Sequence, residues 1–155
     1  MSPAETSLAL IRHEDTALPN PFSATTPEEI QYALDLLTRH SPSKQPWVAF
    51  VARSNGDEIS IGLGTPLFVT ETGQALAPPP SPDLTVLNFM SASCDPPYFV
   101  STGALTDSGC LVFFTDGHWT EYPSSWAVDI ATARKAISEF ITGTSLPPSI
   151  QWSIV

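Results

Sequence analysis

The sequence predicts an α+β domain: a mostly antiparallel β-sheet with an N-terminal and a C-terminal helix packed on one face. Three observations carry this. An amphipathic segment opens at Thr26-Pro27-Glu28-Glu29, a second opens at Asp129, and the stretch between them has strand-like periods punctuated by turn residues.

Residues 1–6 read as a frayed tail, and Ser7 to Arg12 as a first short strand at a sheet edge. His13 to Ala24, with Pro19 and Pro21, reads as a loop leading to the first helix. There Thr26 and Glu29 stand three apart as a capping box and Pro27 takes the first helical position. Ile30, Ala33, Leu34 and Leu37 form one apolar face, and the pattern gives out at His40-Ser41-Pro42.

Pro46 to Arg53 reads as a buried strand, and the Asn55-Gly56 turn returns Glu58 to Leu63 antiparallel to it. Leu67 to Glu71 is a further strand, followed by a Thr72-Gly73 turn and an extended, proline-rich Ala77 to Pro82 loop. Leu84 to Met90, Tyr98 to Ser101, Cys110 to Thr115 and Trp119 to Tyr122 complete the strands. Turns fall at Asp107-Ser108-Gly109 and Asp116-Gly117.

The last third has the clearest pattern. Asp129 is a good N-cap, and Ile130, Ala133, Ile137, Phe140 and Ile141 recur at helical spacing, with Arg134, Lys135, Ser138 and Glu139 on the other side. Gly143 is expected to end this helix in the left-handed conformation, and Pro147-Pro148 to send Ser149 to Ile154 out as an extended segment. Trp152 then closes over the helix. Glu121, Tyr122, Pro123, Val128, Ala133, Ala136, Phe140, Gly143, Pro148, Ile150 and Trp152 together resemble the C-terminal signature of the Imm-one family of bacterial immunity proteins. The resemblance implies a single-domain antidote that blocks a toxin delivered between competing bacteria, a nucleic-acid deaminase being a frequent partner.

Composition narrows the function classes. A chain of 155 residues suits one domain, which by size scaling buries roughly 68–70% of its unfolded surface. No basic, apolar leader is present and the longest apolar run is Trp47 to Ala52, so a cytoplasmic location is expected, with Cys94 and Cys110 as reduced thiols. Sixteen acidic against six basic residues give a net charge of −10, which repels phosphate backbones and attracts basic surfaces.

Catalytic signatures are missing. The H-x-E and P-C-x-x-C pieces of a zinc deaminase do not occur, nor do a Gly-x-Ser-x-Gly elbow or a phosphate-cradling glycine loop. A metal site from Cys94, Cys110 and His118 lacks paired-cysteine spacing. A cysteine hydrolase using Cys94 beside Asp95, with His118 or His40 as base, is the enzymatic alternative, and a non-catalytic adaptor is the third class. The preferred reading needs no catalytic residue, metal or cofactor. Its partner-binding candidates are Asp95, Tyr98, Asp107, Asp116, His118 and Trp119, on loops where turns present side chains and aromatics anchor contacts; the Asp57-Glu58 hairpin is the alternative surface.

Overall fold

The computed structural model describes residues 8–71, 75–93, 98–105, 108–143 and 145–155. The expected tail at 1–6, the Thr72-Gly73 turn, Cys94, Asp95 and Asp107 lie outside the described residues. Along the chain come β1 (Ala9–Arg12), β2 (Phe22–Ala24), α1 (Pro27–His40), β3 (Val48–Arg53), β4 (Glu58–Gly62), β5 (Leu67–Val69) and β6 (Leu76–Ala77). Then follow β7 (Leu84–Thr85), β8 (Leu87–Met90), β9 (Tyr98–Thr102), β10 (Cys110–Thr115), β11 (His118–Pro123), β12 (Val128–Asp129), α2 (Ile130–Thr142) and β13 (Gln151–Ile154).

The class is α+β with antiparallel ladders, but the strands divide among sheets where a single sheet was expected. Seven strands run in the order β13-β9-β8-β4-β3-β1-β2, four in the order β11-β10-β5-β6, and β12 pairs with β7. One alternating set of the seven-stranded sheet, Ala9, Ile11, Ala49, Val51, Ile59, Ile61, Leu87 and Phe89, shares a core with both helices. Ile30, Ala33, Leu34 and Leu37 of α1 enter it, as do Ala133, Ala136, Ile137, Phe140 and Ile141 of α2. Phe89 meets Phe140 and Trp152 edge-on, and the Trp152 indole donates to Pro147 O at 2.9 Å, which fixes the C-terminal lid.

The opposite face of that sheet is not simply open. Val48 and Phe50 of β3 join Phe68, Leu111, Phe113 and Tyr122 of the four-stranded sheet in a second core. Close approach here requires glycine: a Cβ on Gly62 would lie 2.6 Å from the Phe113 ring.

Several expectations are corrected. β1 is an interior strand, because β2, within the segment read as loop, pairs with it on the side away from β3. The strand expected over Leu84 to Met90 divides at Val86, its first part pairing with β12 and its second with β4 and β9. Ala77, assigned to the proline-rich loop, belongs to β6. Thr26 does cap the Glu29 N–H at 3.1 Å, but the Glu29 carboxylate turns to the Thr25 N–H and hydroxyl, both 2.6 Å away. Asp129 caps α2 as expected, accepting from the Ala131 N–H at 3.0 Å.

Gly143 is extended, with φ −113° and ψ −174°, and not left-handed. A distant side chain explains the difference. Arg53 Nη1 donates to Phe140 O at 2.7 Å and to Gly143 O at 3.2 Å, so the orphan carbonyls at the helix end are met by a cation and need no local glycine turn.

Candidate functional site

Three of the six partner-binding candidates share the β10–β11 hairpin. Thr115 pairs with His118, and the two residues between them, Asp116 and Gly117, have φ of 51° and 79°. Positive φ at both centres is the primed turn whose twist suits a two-residue hairpin, and Asp and Gly are residue types that tolerate it. The Asp116 N–H donates to Glu14 Oε2 at 2.9 Å, so the turn is tied to the segment after β1. Glu14 was not among the sequence-derived candidates, and nothing local in the sequence marks a contact spanning that separation.

Trp119 is 46% exposed, yet it is held in place. Its ring stands edge-on to Phe114 with centroids 5.8 Å apart, and its Nε1–H donates to Glu121 Oε2 at 2.7 Å. His118 and Asp116 are exposed beside it. An oriented aromatic flanked by carboxylates suits contact with a cationic protein surface. Charge distribution strengthens this: residues 54–133 contain no lysine or arginine, and all four strands of this sheet fall within them.

Tyr98 stands apart from the hairpin. It begins β9 on the seven-stranded sheet, paired with Met90, and is 53% exposed. The structure therefore divides the candidate set between two sheets, while Asp95 and Asp107 lie outside the described residues.

The alternative surface, the Asp57-Glu58 hairpin, is corrected in half. Asp57 is buried, and its Oδ2 accepts from Arg53 Nε at 3.1 Å and Asn55 Nδ2 at 3.1 Å, while its Oδ1 accepts from the Ala92 N–H at 2.8 Å. Burial alone would raise this carboxyl, but the Ala92 N–H, Arg53 and Asn55 hold it below its ordinary range. It is structural; Glu58 alone remains near the surface, paired with Arg12 at 3.1 Å.

The nucleophile named for the enzymatic alternative, Cys94, lies with Asp95 outside the described residues, so only Cys110 and the two histidines can be placed. Cys110 and His118 sit at opposite ends of the β10–β11 ladder, five residues or about 17 Å apart along the strand at 3.4 Å each. Burial first, then Glu121 and Glu71, push the Cys110 thiol up, as suits a structural cysteine. His40 is engaged elsewhere, with Nδ1 2.6 Å from Asp15 Oδ2. Burial would raise the Asp15 carboxyl too, but the Ala17 N–H and His40 lower it. His13 completes this cluster, with Nδ1 accepting from the Asp15 N–H at 3.0 Å and Nε2 2.6 Å from Pro19 O, so it organises the loop before β2. Among the described residues, no group of three His, Cys, Asp or Glu side chains is placed to hold a metal ion. No helix among them is long and apolar enough to cross a membrane.

A search of curated proteins finds no match to this chain. The family model described as Immunity protein Imm1, in contrast, matches residues 19–153, which takes in α1, α2, the acidic hairpin and all but the last residue of β13. The chain belongs to this immunity protein family.

Proposed function

We propose that the protein neutralises a cognate toxin by seating its acidic hairpin over the toxin's active site, and that the toxin is a nucleic-acid-handling enzyme of the deaminase class. The observation that carries this reading is the presentation of Trp119 with Asp116, His118 and Glu121 on a sheet without a lysine or arginine. An enzyme that acts on nucleic acid needs a basic groove to hold phosphates. A carboxylate-bearing hairpin matches such a groove, and a fixed indole supplies an apolar anchor at its centre. Asp116, His118 and Trp119 are the proposed contacts, with Tyr98 on a second patch.

The test is direct. The cognate toxin domain is purified with this chain and assayed for deamination of single-stranded and duplex DNA. A one-to-one complex in which deamination stops is the expected result. A complex that leaves the toxin's active site working would overturn occlusion, and a toxin with another chemistry would overturn the deaminase assignment.

A further inference from the structure

The last strand of a sheet carries a row of backbone donors and acceptors without strand partners, and the two larger sheets end in β13, β2, β11 and β6. β13, β2 and β6 are four, three and two residues long, and short edges offer little to pair with. β11 is six residues long. It lacks lysine, a common guard of sheet edges, and its one proline, Pro123, is its last residue.

The hairpin fixes which backbone groups of β11 face outward. Across the two-residue turn Thr115 and His118 form the hydrogen-bonded pair, so by antiparallel alternation Thr120 and Tyr122 also bond to β10, and Trp119 and Glu121 point away. The neighbouring bonds agree. The Phe114 N–H, opposite Trp119, donates to Pro46 O at 2.7 Å, and the Ser124 N–H continues the inward series to Gly109 O at 3.0 Å. Among the described residues, no strand pairs with the outward N–H and C=O groups of Trp119 and Glu121.

Charge selects what can lie there. The side chains of Trp119 and Glu121, two positions apart, share one face and are joined by the indole hydrogen bond. Glu121 takes part in none of the ion pairs among the described residues. A strand added beside β11 lies about 4.8 Å away, which sets its side chains directly against this indole and this carboxylate. A basic side chain there meets an uncancelled charge and an aromatic ring. A net charge of −10 favours such a strand over a second copy of the same chain.

We infer that β11 takes up an extended, basic segment of the protein's partner as a fifth strand of this sheet, with main-chain hydrogen bonds to Trp119 and Glu121 and a lysine or arginine against the Glu121 carboxylate. The partner's identity rests on the antidote reading, and the strand pairing on the edge itself.

Hydrogen exchange, followed by nuclear magnetic resonance on the full chain, tests this in two arms. In the first, the probe is a peptide of alternating arginine and valine, compared with the same sequence N-methylated at every residue, which keeps the charge and side chains but has no main-chain donors. In the free protein the Thr120 and Tyr122 amides should exchange slowly and those of Trp119 and Glu121 fast. Near saturation the unmethylated peptide should slow Trp119 and Glu121 about tenfold, and the methylated one should not. Glu121→Gln, which keeps an acceptor for the indole, should weaken the peptide about threefold, as for one charged cross-strand pair. Equal protection by both peptides, or no protection at Trp119 and Glu121, would overturn the strand pairing. Unchanged affinity in Glu121→Gln would overturn the basic character of the strand. A dimer that protects the same two amides without peptide would overturn the inference in favour of self-pairing.

The second arm repeats the exchange measurement in the complex with the cognate toxin domain. Protein that fails to inhibit the toxin would sink the antidote reading while leaving the peptide result standing. A toxin that is inhibited while the Trp119 and Glu121 amides exchange as in the free protein would overturn strand addition and leave the antidote reading intact.

Discussion

Where the seven-stranded sheet meets the two helices, a charged side chain is locked into the core; on the hairpin of the four-stranded sheet, a large aromatic one is left in solvent. Arg53 is 6% exposed and Trp119 is 46% exposed. Arg53 has every reason to be inside. It pairs with Asp57, meets three carbonyls at the end of α2, and lies 4.3 Å from the Phe140 ring centroid. Among the described residues Trp119 has one ring neighbour and one hydrogen bond, enough to orient it without covering it. Burial that is fully satisfied maintains a fold, whereas an oriented side chain left in water is ready to be covered by something else.

Substitutions should divide along the same line. The largest losses of stability belong to the helix-bearing half. Phe140→Ala removes a fully buried ring that packs on Phe89, and should cost about 3–5 kcal/mol. Arg53→Met should cost a similar amount, about 3–5 kcal/mol, because it strands the buried Asp57 carboxylate and uncaps α2. Urea unfolding of the two variants measures both losses. A change near zero for Phe140→Ala would mean that α2 does not present this ring to the core.

Acid should expose the same network. Asp57 has its carboxyl held below the ordinary value of 3.8, so its stabilising contribution is complete above that value and is lost as pH falls through the lower folded value. Asp15 contributes with the same sign. Asp57→Asn should therefore lower stability at neutral pH and flatten its decline below pH 3.8. Unfolding midpoints across the acid range check this; an undiminished acid slope in the variant would assign the decline to other carboxylates. Next in size is Thr26→Ala, which removes the N-cap of α1 and should cost about 1 kcal/mol by the same unfolding measurement.

These cases also mark what the sequence made legible. Thr26, Pro27 and Asp129 announced the helices because capping is a local matter, settled by side chains within three residues. The Asn55-Gly56 and Asp116-Gly117 turns were readable for the same reason, each followed by a strand that returns antiparallel. Gly143 was misread because its conformation depends on Arg53, far away in the chain. The second sheet was hidden too. Strand periodicity shows which residues alternate, but not which sheet a strand joins, and Phe113 packing over Gly62 decides that in space. Of the candidate site, the cluster of Asp116, His118 and Trp119 was readable as one hairpin. The separate place of Tyr98, and the Glu14 contact to the turn, were not.

The smallest effects on folding, and the largest on binding, are expected at the hairpin. Asp116 has φ 51°, so lysine there would combine backbone strain with charge reversal. Asparagine tolerates that conformation and isolates the charge, and Asp116→Asn should change stability by less than about 0.5 kcal/mol. Trp119→Ala gives up an edge-on ring pair and should cost about 1 kcal/mol. Against the toxin, the two substitutions should separate kinetically. Losing the Asp116 charge weakens long-range attraction, so association should slow and its salt dependence should shrink. Losing the Trp119 ring removes a contact made only after docking, so dissociation should quicken while association holds. Surface-immobilised toxin and both variants at two salt concentrations provide the measurement. If both rate constants stay at wild-type values in both variants, the exposed ring is not what the partner covers, and the interface lies away from this hairpin.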